Sequence, residues 1–286
     1  MLPKNSKPIL VIDCSNLCYQ AFFTMGDLSC DGMPVGVIYG FLWRIIKLAE
    51  KYNGTNKIYF VFDSQRSYRK KIYPEYKANR KNKPPIENID ELYYQIDQLR
   101  IEVLPDMGFK NIFQQAFYES DDIIAKIVQD TNQEQFVIVS SDNDLWQLLD
   151  YHVHIDDNKG ELKTREWFLE FSGGLASWFW AEAKAHAGCS SDFVIGIKDV
   201  GDKTALKYLR GELKSGKAFD AIKAGEDQIK FNRELVFLPF KGDKPIEYEV
   251  GMDRVTKRKV KKIFEQYKFK SMLEPLNLEK WSVYYA

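Results

Sequence analysis

The chain has 286 residues, 45% of them hydrophobic, which is enough to bury a large core in one big domain or two smaller ones. Its 41 basic and 41 acidic residues cancel, so the overall charge points to neither nucleic acid nor membrane as a partner. The apolar run at residues 9–12 is too short for a signal peptide, and Arg44 interrupts the one at residues 37–46. We therefore expect a cytoplasmic protein with no membrane partner.

Short apolar runs that begin at residues 8, 57 and 136 each lead into aspartate, and a helical pattern spans residues 35–51. All-apolar strands separated by helices indicate a parallel sheet covered on both faces, whose ligand crevice lies beyond the carboxyl ends of the strands. Four aspartates fall at that edge: Asp13, Asp63, Asp142 and Asp144. The sequence thus predicts an α/β fold with an acidic crevice.

Two segments are strongly basic although the whole chain is neutral. Residues 66–83 contain Pro74 and precede Pro84 and Pro85, so we expect a mobile excursion rather than part of the core. Residues 254–270 carry apolar positions at i, i+3, i+4 and i+7, which predicts an amphipathic helix. Its basic face is expected to be solvated, and contact with duplex DNA is the alternative.

The segment YESDDIIAKIVQD, residues 118–130, predicts a helix with an acidic first turn and an apolar stripe. Glu119, Asp121 and Asp122 would therefore be held at a helix N-terminus. The four cysteines have no C-x-x-C spacing and only three histidines beside them, so reduced thiols are expected rather than structural zinc.

A single aspartate after a strand is usually a turn former or a helix cap. Several acids that converge on one edge, however, repel one another unless cations neutralise them. Oxygen ligands without histidine suit a hard ion, Mg²⁺ or Mn²⁺. Because two such ions about 4 Å apart can activate a water and stabilise a leaving oxygen, the pattern indicates phosphodiester hydrolysis.

The order of these acids, with the segments YPEYKANR (73–80), YESDD (118–122) and SSDND (140–144) and a glycine-broken hairpin segment (188–209), resembles the flap endonuclease family. The resemblance covers most of residues 8–210 and is strongest to bacteriophage and bacterial 5′-nucleases. It implies a PIN-like α/β nuclease core over residues 1–180, with a helical arch at about 66–117. A helix-three-turn-helix DNA-binding motif and a C-terminal helical region would follow in residues 181–286.

The resemblance also implies metal-dependent cleavage of 5′ flaps, or stepwise 5′-to-3′ degradation of DNA, in replication or repair. The setting would be a bacterial or phage-infected cell, and the protein would be a monomer. Some phage members also remove RNA primers, so RNA/DNA hybrid is a further candidate substrate.

Family motifs carry over onto the ligands of two ions. The residues that match the first metal group are Asp13, Asp63, Glu119, Asp121 and Asp122. The residues that match ligands nearer the second ion are Asp142, Asp144 and Asp192.

Four side chains match residues that approach the DNA near the cut. Lys77 and Arg80 match residues that contact the scissile phosphate, and Tyr76 matches a ring that stacks on the terminal base. A solvated basic loop is the alternative for this segment. Lys184 matches a lysine near the active-site phosphate, and the alternative is a solvated lysine on a surface helix.

The stretch GIKDVGDKTALKYL, residues 196–209, resembles a hairpin that presents backbone amides to duplex phosphates, usually beside a monovalent cation such as K⁺. Gly196, Gly201 and Lys203 match its DNA-binding positions. An ordinary helix-turn-helix packing unit is the alternative.

One position departs from the family pattern. Cys189 stands where family members usually carry an aspartate, and Asp192 is retained three residues on. A thiol is a poor ligand for Mg²⁺, so the second ion is expected to be weakly held. Two hypotheses follow: an active nuclease, or a structure-specific DNA-binding protein with weakened catalysis.

Overall fold

A computed structural model describes residues 6–82, 84–131 and 134–285, so Lys83 of the first basic segment lies outside the described residues. The strands, in chain order, are β1 (Ile9–Asp13), β2 (Ser29–Cys30), β3 (Met33–Pro34), β4 (Ile58–Val61), β5 (Ile112–Phe113), β6 (Phe136–Val139), β7 (Val153–Asp156), β8 (Leu162–Lys163), β9 (Gly188–Cys189) and β10 (Val194–Ile195).

The helices are α1 (Cys14–Met25), α2 (Gly36–Lys51), α3 (Arg69–Ile72), α4 (Ile89–Gln98), α5 (Leu104–Met107), α6 (Ser120–Asp130), α7 (Arg165–Ser172), α8 (Phe179–Ala187), α9 (Asp202–Leu209), α10 (Lys217–Ala224), α11 (Glu226–Val236), α12 (Lys257–Gln266), α13 (Lys270–Leu273) and α14 (Pro275–Lys280). A π-helical turn, Leu99–Val103, joins α4 to α5. None of the helices in the described ranges has both the length and the apolar character that crossing a membrane requires.

Six strands of the described chain form the main sheet, in the order β5-β4-β1-β6-β7-β8. The central strand β1 is parallel to both neighbours, and Leu10 pairs with Ile58 on one side and Val137 on the other. β5 and β7 continue the parallel arrangement, whereas β8 is antiparallel to β7. Since parallel strands end at the same edge, the predicted acidic edge is formed as expected.

Alternate residues of the central strands face opposite cores, which explains why these strands are apolar throughout. Leu10 and Ile12 pack into one core, whereas Ile9 and Val11 pack into the other. Successive side chains point to opposite faces of a strand, and here helices cover both faces. A polar residue at any of these positions would therefore be buried without solvent.

The core on the first face joins α1, α2 and α4 to the C-terminal helices. Val260, Ile263 and Phe264 of α12 are fully buried in it, which confirms the apolar stripe predicted for residues 254–270. Because residues 255–285 complete this core, the predicted boundary at residue 180 does not separate two hydrophobic cores. The second face is covered mainly by α6, α8, α9 and α11.

Two expectations about residues 66–117 are wrong. Tyr68, Arg69 and Tyr76 are at most 6% exposed, so the first basic segment is anchored on the protein rather than a mobile excursion. Leu92 of α4 is buried, and Gln95 Oε1 accepts a hydrogen bond from the Val37 amide at 2.9 Å. Parts of residues 89–113 therefore pack into the core, and residues 66–88 remain the candidate arch.

Candidate metal centre

The acidic crevice begins at the ends of β1 and β4. Asp13 is the last residue of β1 and caps α1, because its Oδ1 accepts a hydrogen bond from the Asn16 amide at 3.2 Å. Its Oδ2 accepts a hydrogen bond from Ser140 Oγ at 2.8 Å. Asp63, just beyond β4, is exposed and accepts a hydrogen bond from the Ser120 amide at 2.8 Å. Strand ends and helix caps thus place two carboxylates side by side.

The start of α6 brings a second set of acids to the same edge. Glu119 is the N-cap residue, and a reciprocal capping box links it to Asp122. The partial positive charge of a helix N-terminus favours acids in this turn. The predicted helix and its acidic first turn are confirmed.

Asp122 is turned away from the crevice, which corrects its assignment as a metal ligand. It is fully buried, and its two oxygens accept hydrogen bonds from Arg69 at 2.7 and 2.8 Å. The Phe240 amide donates to the same carboxylate at 2.8 Å, and Arg69 Nε donates to the Leu235 carbonyl at 2.8 Å. We therefore assign Asp122 to a buried ion pair that joins α6 to the first basic segment.

A third set of acids follows β6. Asp142 Oδ1 accepts a hydrogen bond from the Asp144 amide at 2.9 Å, so the two-residue spacing forms a tight turn. Asp144 then opens a 3-10 turn, Asp144–Leu148. The Asp142 carboxylate lies close to Asp121 of α6, because burial and then the Asp142 charge raise the pKa of Asp121.

Five of these acids lack a cationic partner; Asp63 is exposed, and we call the four buried or half-buried ones, Asp13, Asp121, Asp142 and Asp144, the uncompensated group. No lysine or arginine of the described residues forms an ion pair with any of them. Burial, and then the neighbouring Asp63 charge, raises the pKa of Asp13 to about 7. Burial, and then the Asp142 charge, raises the pKa of Asp144 to about 7. Such shifts mark sites where negative charge is held in excess.

Glu119 and Asp192 form the compensated group, because side chains of the first basic segment contact both. Lys77 Nζ lies 2.8 Å from Glu119 Oε2 and 3.7 Å from Asp192 Oδ1, and Arg80 lies 3.3 Å from Asp192. Burial alone would raise the pKa of Glu119, but the charges of Lys77 and Arg69 hold this pKa at about 2.

The backbone of Lys77 is itself constrained. Its φ of 59° lies in the left-handed region, which costs a non-glycine residue roughly 1–2 kcal/mol. Its amide donates to the Asp192 carbonyl at 2.8 Å, which helps to hold this conformation. A strained residue that directs its side chain between two carboxylates is characteristic of a functional site.

Tyr76 does not occupy the position expected of a base-stacking ring. It is 3% exposed, and its hydroxyl oxygen lies 3.0 Å from both Glu119 Oε2 and Asp192 Oδ2, so its one proton is shared between the two carboxylates. A ring so buried has no free face for a base. In this conformation Tyr76 orients the two carboxylates instead.

Lys184 lies on α8 and is only 8% exposed, so the alternative of a solvated surface lysine is wrong. Its Nζ is 3.4 Å from Asp202 Oδ2 and 4.7 Å from the centre of the Trp180 ring. Its charge opposes the effect of burial on the pKa values of Asp142 and Asp144. Lys184 therefore acts on the crevice through space while bound to α9.

Helix α8, the β9–β10 hairpin and α9 follow one another in the order predicted for the DNA-binding motif. A Cβ on Gly196 would lie 2.1 Å from the Ala187 carbonyl, so packing within the hairpin already requires this glycine. Gly201 is the N-cap of α9, and a Cβ there would meet nothing within 4 Å. Gly201 and Lys203 are both exposed. The DNA contacts of all three residues remain predictions.

Three contributors to the crevice were missed from the sequence. Ser120 and Ser140 hydrogen-bond to the strand-end aspartates, and Arg69 neutralises Asp122. The serines lie inside YESDD and SSDND, so their position within the acidic motifs was an available signal. Arg69 had no such signal, because nothing in the sequence distinguishes it from the other basic residues of its segment.

The residues present fit a divalent ion. The uncompensated group supplies only carboxylate oxygens, the ligand type of hard ions. Moreover, Asp144 Oδ1 is buried and has no hydrogen-bond partner among the described residues. A buried carboxylate oxygen without a partner is unfavourable unless a cation supplies one.

Comparison with known proteins agrees with this geometry. The family model for the N-terminal resolvase-like domain of 5′-3′ exonucleases matches residues 8–172. The 5′-3′ exonuclease of Buchnera aphidicola subsp. Schizaphis graminum is 33% identical over 83% of this chain and 78% of its own length. The thermostable DNA polymerase I of Thermus thermophilus is 29% identical over 94% of this chain, which spans only 33% of the polymerase. This match extends beyond the residues 8–210 that carry the motifs.

Solved structures share the fold. A zinc-bound structure of T5 5′-exonuclease has a TM-score of 0.67 and 20% identity, over 81% of this chain and 89% of that one. The bacteriophage T5 flap endonuclease in a pseudo-enzyme-product complex with DNA and metal ions also has a TM-score of 0.67, at 17% identity over 96% of this chain and 98% of that one. The PIN-like α/β core is thereby confirmed. The chain belongs to the 5′-3′ exonuclease family.

Proposed function

We propose that this chain is a divalent-metal-dependent 5′-nuclease that hydrolyses phosphodiesters at 5′ flaps and 5′ ends of DNA during replication or repair. The observation that carries the proposal is the uncompensated group, four buried or half-buried carboxylates without a cationic partner. The relatives support it, because they include a named 5′-3′ exonuclease and DNA polymerases. The T5 flap endonuclease complex with DNA and metal ions supports the substrate class.

The crevice would hold two ions, Mg²⁺ or Mn²⁺. The residues proposed for the first ion are Asp13, Asp63, Glu119 and Asp121. Those proposed for the second, more weakly held ion are Asp142, Asp144 and Asp192. When bound, such ions lower the pKa of a water and stabilise the leaving oxygen.

The side chains around the crevice would position the phosphate. Lys77 lies within 4 Å of Glu119, and Arg80 lies within 4 Å of Asp192. A phosphate bound at ions held by these carboxylates would therefore lie close enough for both side chains to contact it. The planar guanidinium of Arg80 suits orienting the phosphate, and the compact charge of Lys77 suits stabilising its negative charge in the transition state. Tyr76 would keep both carboxylates in place, and Lys184 would add positive charge behind the second ion site.

The helix-three-turn-helix segment would grip the duplex away from the cut. The exposed residue Gly201 and the charge of Lys203 suit contact with phosphates, and K⁺ would bridge the hairpin to a phosphate near Gly196. Residues 66–88 would form the arch that admits a single strand. We further propose a monomer acting in the cytoplasm of a bacterial or phage-infected cell, with RNA/DNA hybrid as a second substrate.

The test is cleavage of a 5′-flap oligonucleotide duplex with Mg²⁺, with Mn²⁺ or with chelator. We expect short 5′ products only with metal, and none from a matched duplex whose 5′ end is blocked. Product formation that is equal in chelator would overturn the proposal. A parallel binding assay addresses the alternative of a structure-specific binder, which the retained carboxylates do not favour. Tight flap binding without cleavage would support that alternative.

A further inference from the structure

Cys189 lies in a compact cluster with two carboxylates at one end of the crevice. Its Sγ donates a hydrogen bond to Asp144 Oδ2 at 3.3 Å and lies 2.9 Å from Ser191 Oγ. Asp144, Cys189 and Asp192 each offer one potential metal-ligand atom, and these three atoms lie within 4.8 Å of one another. Three potential ligands are therefore already gathered, without a rearrangement of the backbone.

The cluster is built by two separate elements. Cys189 ends β9, and its carbonyl accepts a hydrogen bond from the Asp192 amide at 3.3 Å, so a tight turn sets the distance between these two residues. Asp144 is supplied from the turn after β6. Independently of the thiol, Asp144 Oδ1 is buried and has no hydrogen-bond partner within the described ranges. An unpartnered buried oxygen beside a thiol points to a cation-binding site.

The ligand chemistry decides which cation fits. Mg²⁺ prefers oxygen and forms poor bonds to sulfur, whereas Zn²⁺ and its heavier analogue Cd²⁺ accept sulfur and carboxylate together. The hard ion expected for this family thus does not fit the cluster as well as a softer one. We infer that Asp144, Cys189 and Asp192 form a binding site for a thiophilic divalent ion, with the Cys189 sulfur as a direct ligand.

Binding balances both charge and protons. The thiol proton, now donated to Asp144, leaves to the solvent as the bond from sulfur to metal forms. Two carboxylates and one thiolate then surround a doubly charged ion, and Lys77 and Arg80 beside Asp192 offset the remaining negative charge. The inference deepens the proposed function, because it takes Asp144 and Asp192 from the proposed second ion site.

The test is titration of the metal-free protein with Cd²⁺ alone, monitored by the ultraviolet sulfur-to-cadmium charge-transfer band. We expect a band that saturates at one equivalent and persists in a large excess of Mg²⁺. Cys189→Ser should abolish the band and weaken Cd²⁺ binding roughly tenfold or more. The matched control, Cys30→Ser, changes a half-buried thiol outside the cluster and should keep the band.

No band in the parent protein, or an equal band in Cys189→Ser, would overturn the inference. Should Cys189→Ser fail to fold, X-ray absorption at the zinc edge of the parent protein loaded with one equivalent of Zn²⁺ gives the answer directly. A sulfur neighbour supports the site, and only oxygen and nitrogen neighbours refute it. Flap cleavage with Mg²⁺ is measured on aliquots of the same metal-free protein that have received no Cd²⁺ or Zn²⁺. A band without cleavage overturns the nuclease proposal alone, and cleavage without a band overturns this site alone.

Discussion

The two groups of acids in one crevice have opposite electrostatics. Burial alone would raise the pKa of both Glu119 and Asp13, yet the pKa of Glu119 is about 2 while that of Asp13 is about 7. The two pKa values differ because Lys77 and Arg69 contact Glu119 and do not contact Asp13. The protein's own cations therefore offset the charge of Glu119 and Asp192, whereas the uncompensated group has no such partner.

The largest expected effect concerns the buried ion pair between Arg69 and Asp122. Arg69→Met should lower the free energy of unfolding by about 3–5 kcal/mol, because Asp122 would be left buried and unpaired. Chemical denaturation measures it. The matched control is Arg80→Met on the same segment, where the side chain is 57% exposed and a loss below about 1 kcal/mol is expected. Equal losses would mean that the buried pair is not the anchor.

The next effect separates activity from stability in the uncompensated group. Asp121→Asn should slow flap cleavage roughly 100- to 1,000-fold, the range seen when one group that stabilises transition-state charge is lost. The same change relieves repulsion with Asp142 and Asp13, so the melting temperature in chelator should rise. Asp220→Asn, at an exposed site on α10, should change neither. A lower melting temperature in chelator would contradict the repulsion argument.

Lys77 tests the compensated group. Lys77→Met should reduce single-turnover cleavage by roughly 100-fold while weakening flap binding much less, if its charge acts on the transition state. The pKa of Glu119 should also move up, since its nearest cation is lost. Lys71→Met, at an exposed side chain in the same segment, serves as the control. Parallel losses of binding and rate would assign Lys77 to holding the backbone only.

The pH dependence of stability should differ with and without metal. Asp13 and Asp144 have folded pKa values of about 7 against an ordinary 3.8. The stability that they contribute is complete below pH 3.8 and is lost as the pH rises through about 7. Melting temperatures in chelator should therefore fall as the pH rises from 3.8 to about 7, where the unfolded chain releases protons that the folded protein retains. Mg²⁺ should flatten the profile, and a fall of the same size with Mg²⁺ would argue against metal binding here.

The smallest effect lies outside both acidic groups. Lys203→Ala should weaken duplex binding for all sequences alike and reduce the slope of log affinity against log salt by about 1. Binding titrations over a range of salt concentrations measure this. Lys223→Ala is the control, because Lys223 is also an exposed lysine but lies on α10 rather than α9. An unchanged slope would remove α9 from the DNA interface.

The residues alone predicted three parallel strands of the sheet, its acidic edge and the family. Short β-branched apolar runs that end in aspartate, separated by helical segments, indicate buried parallel strands with their carboxylates at one edge. The YESDD and SSDND segments are local motifs whose geometry follows from capping and tight turns. The amphipathic C-terminal helix was likewise predictable, because its period is local.

Only the tertiary structure decided how the charges divide. Asp121 and Asp122 are neighbours in sequence, yet one faces the crevice and the other binds Arg69, 53 residues earlier in the chain. Tyr76 and Lys77 likewise meet Glu119 and Asp192 across 42 to 116 residues. Whether a carboxylate has a cation within a few ångströms depends on such long-range packing, and no local pattern records it. That packing, rather than the number of acids, determines where this protein needs a metal ion.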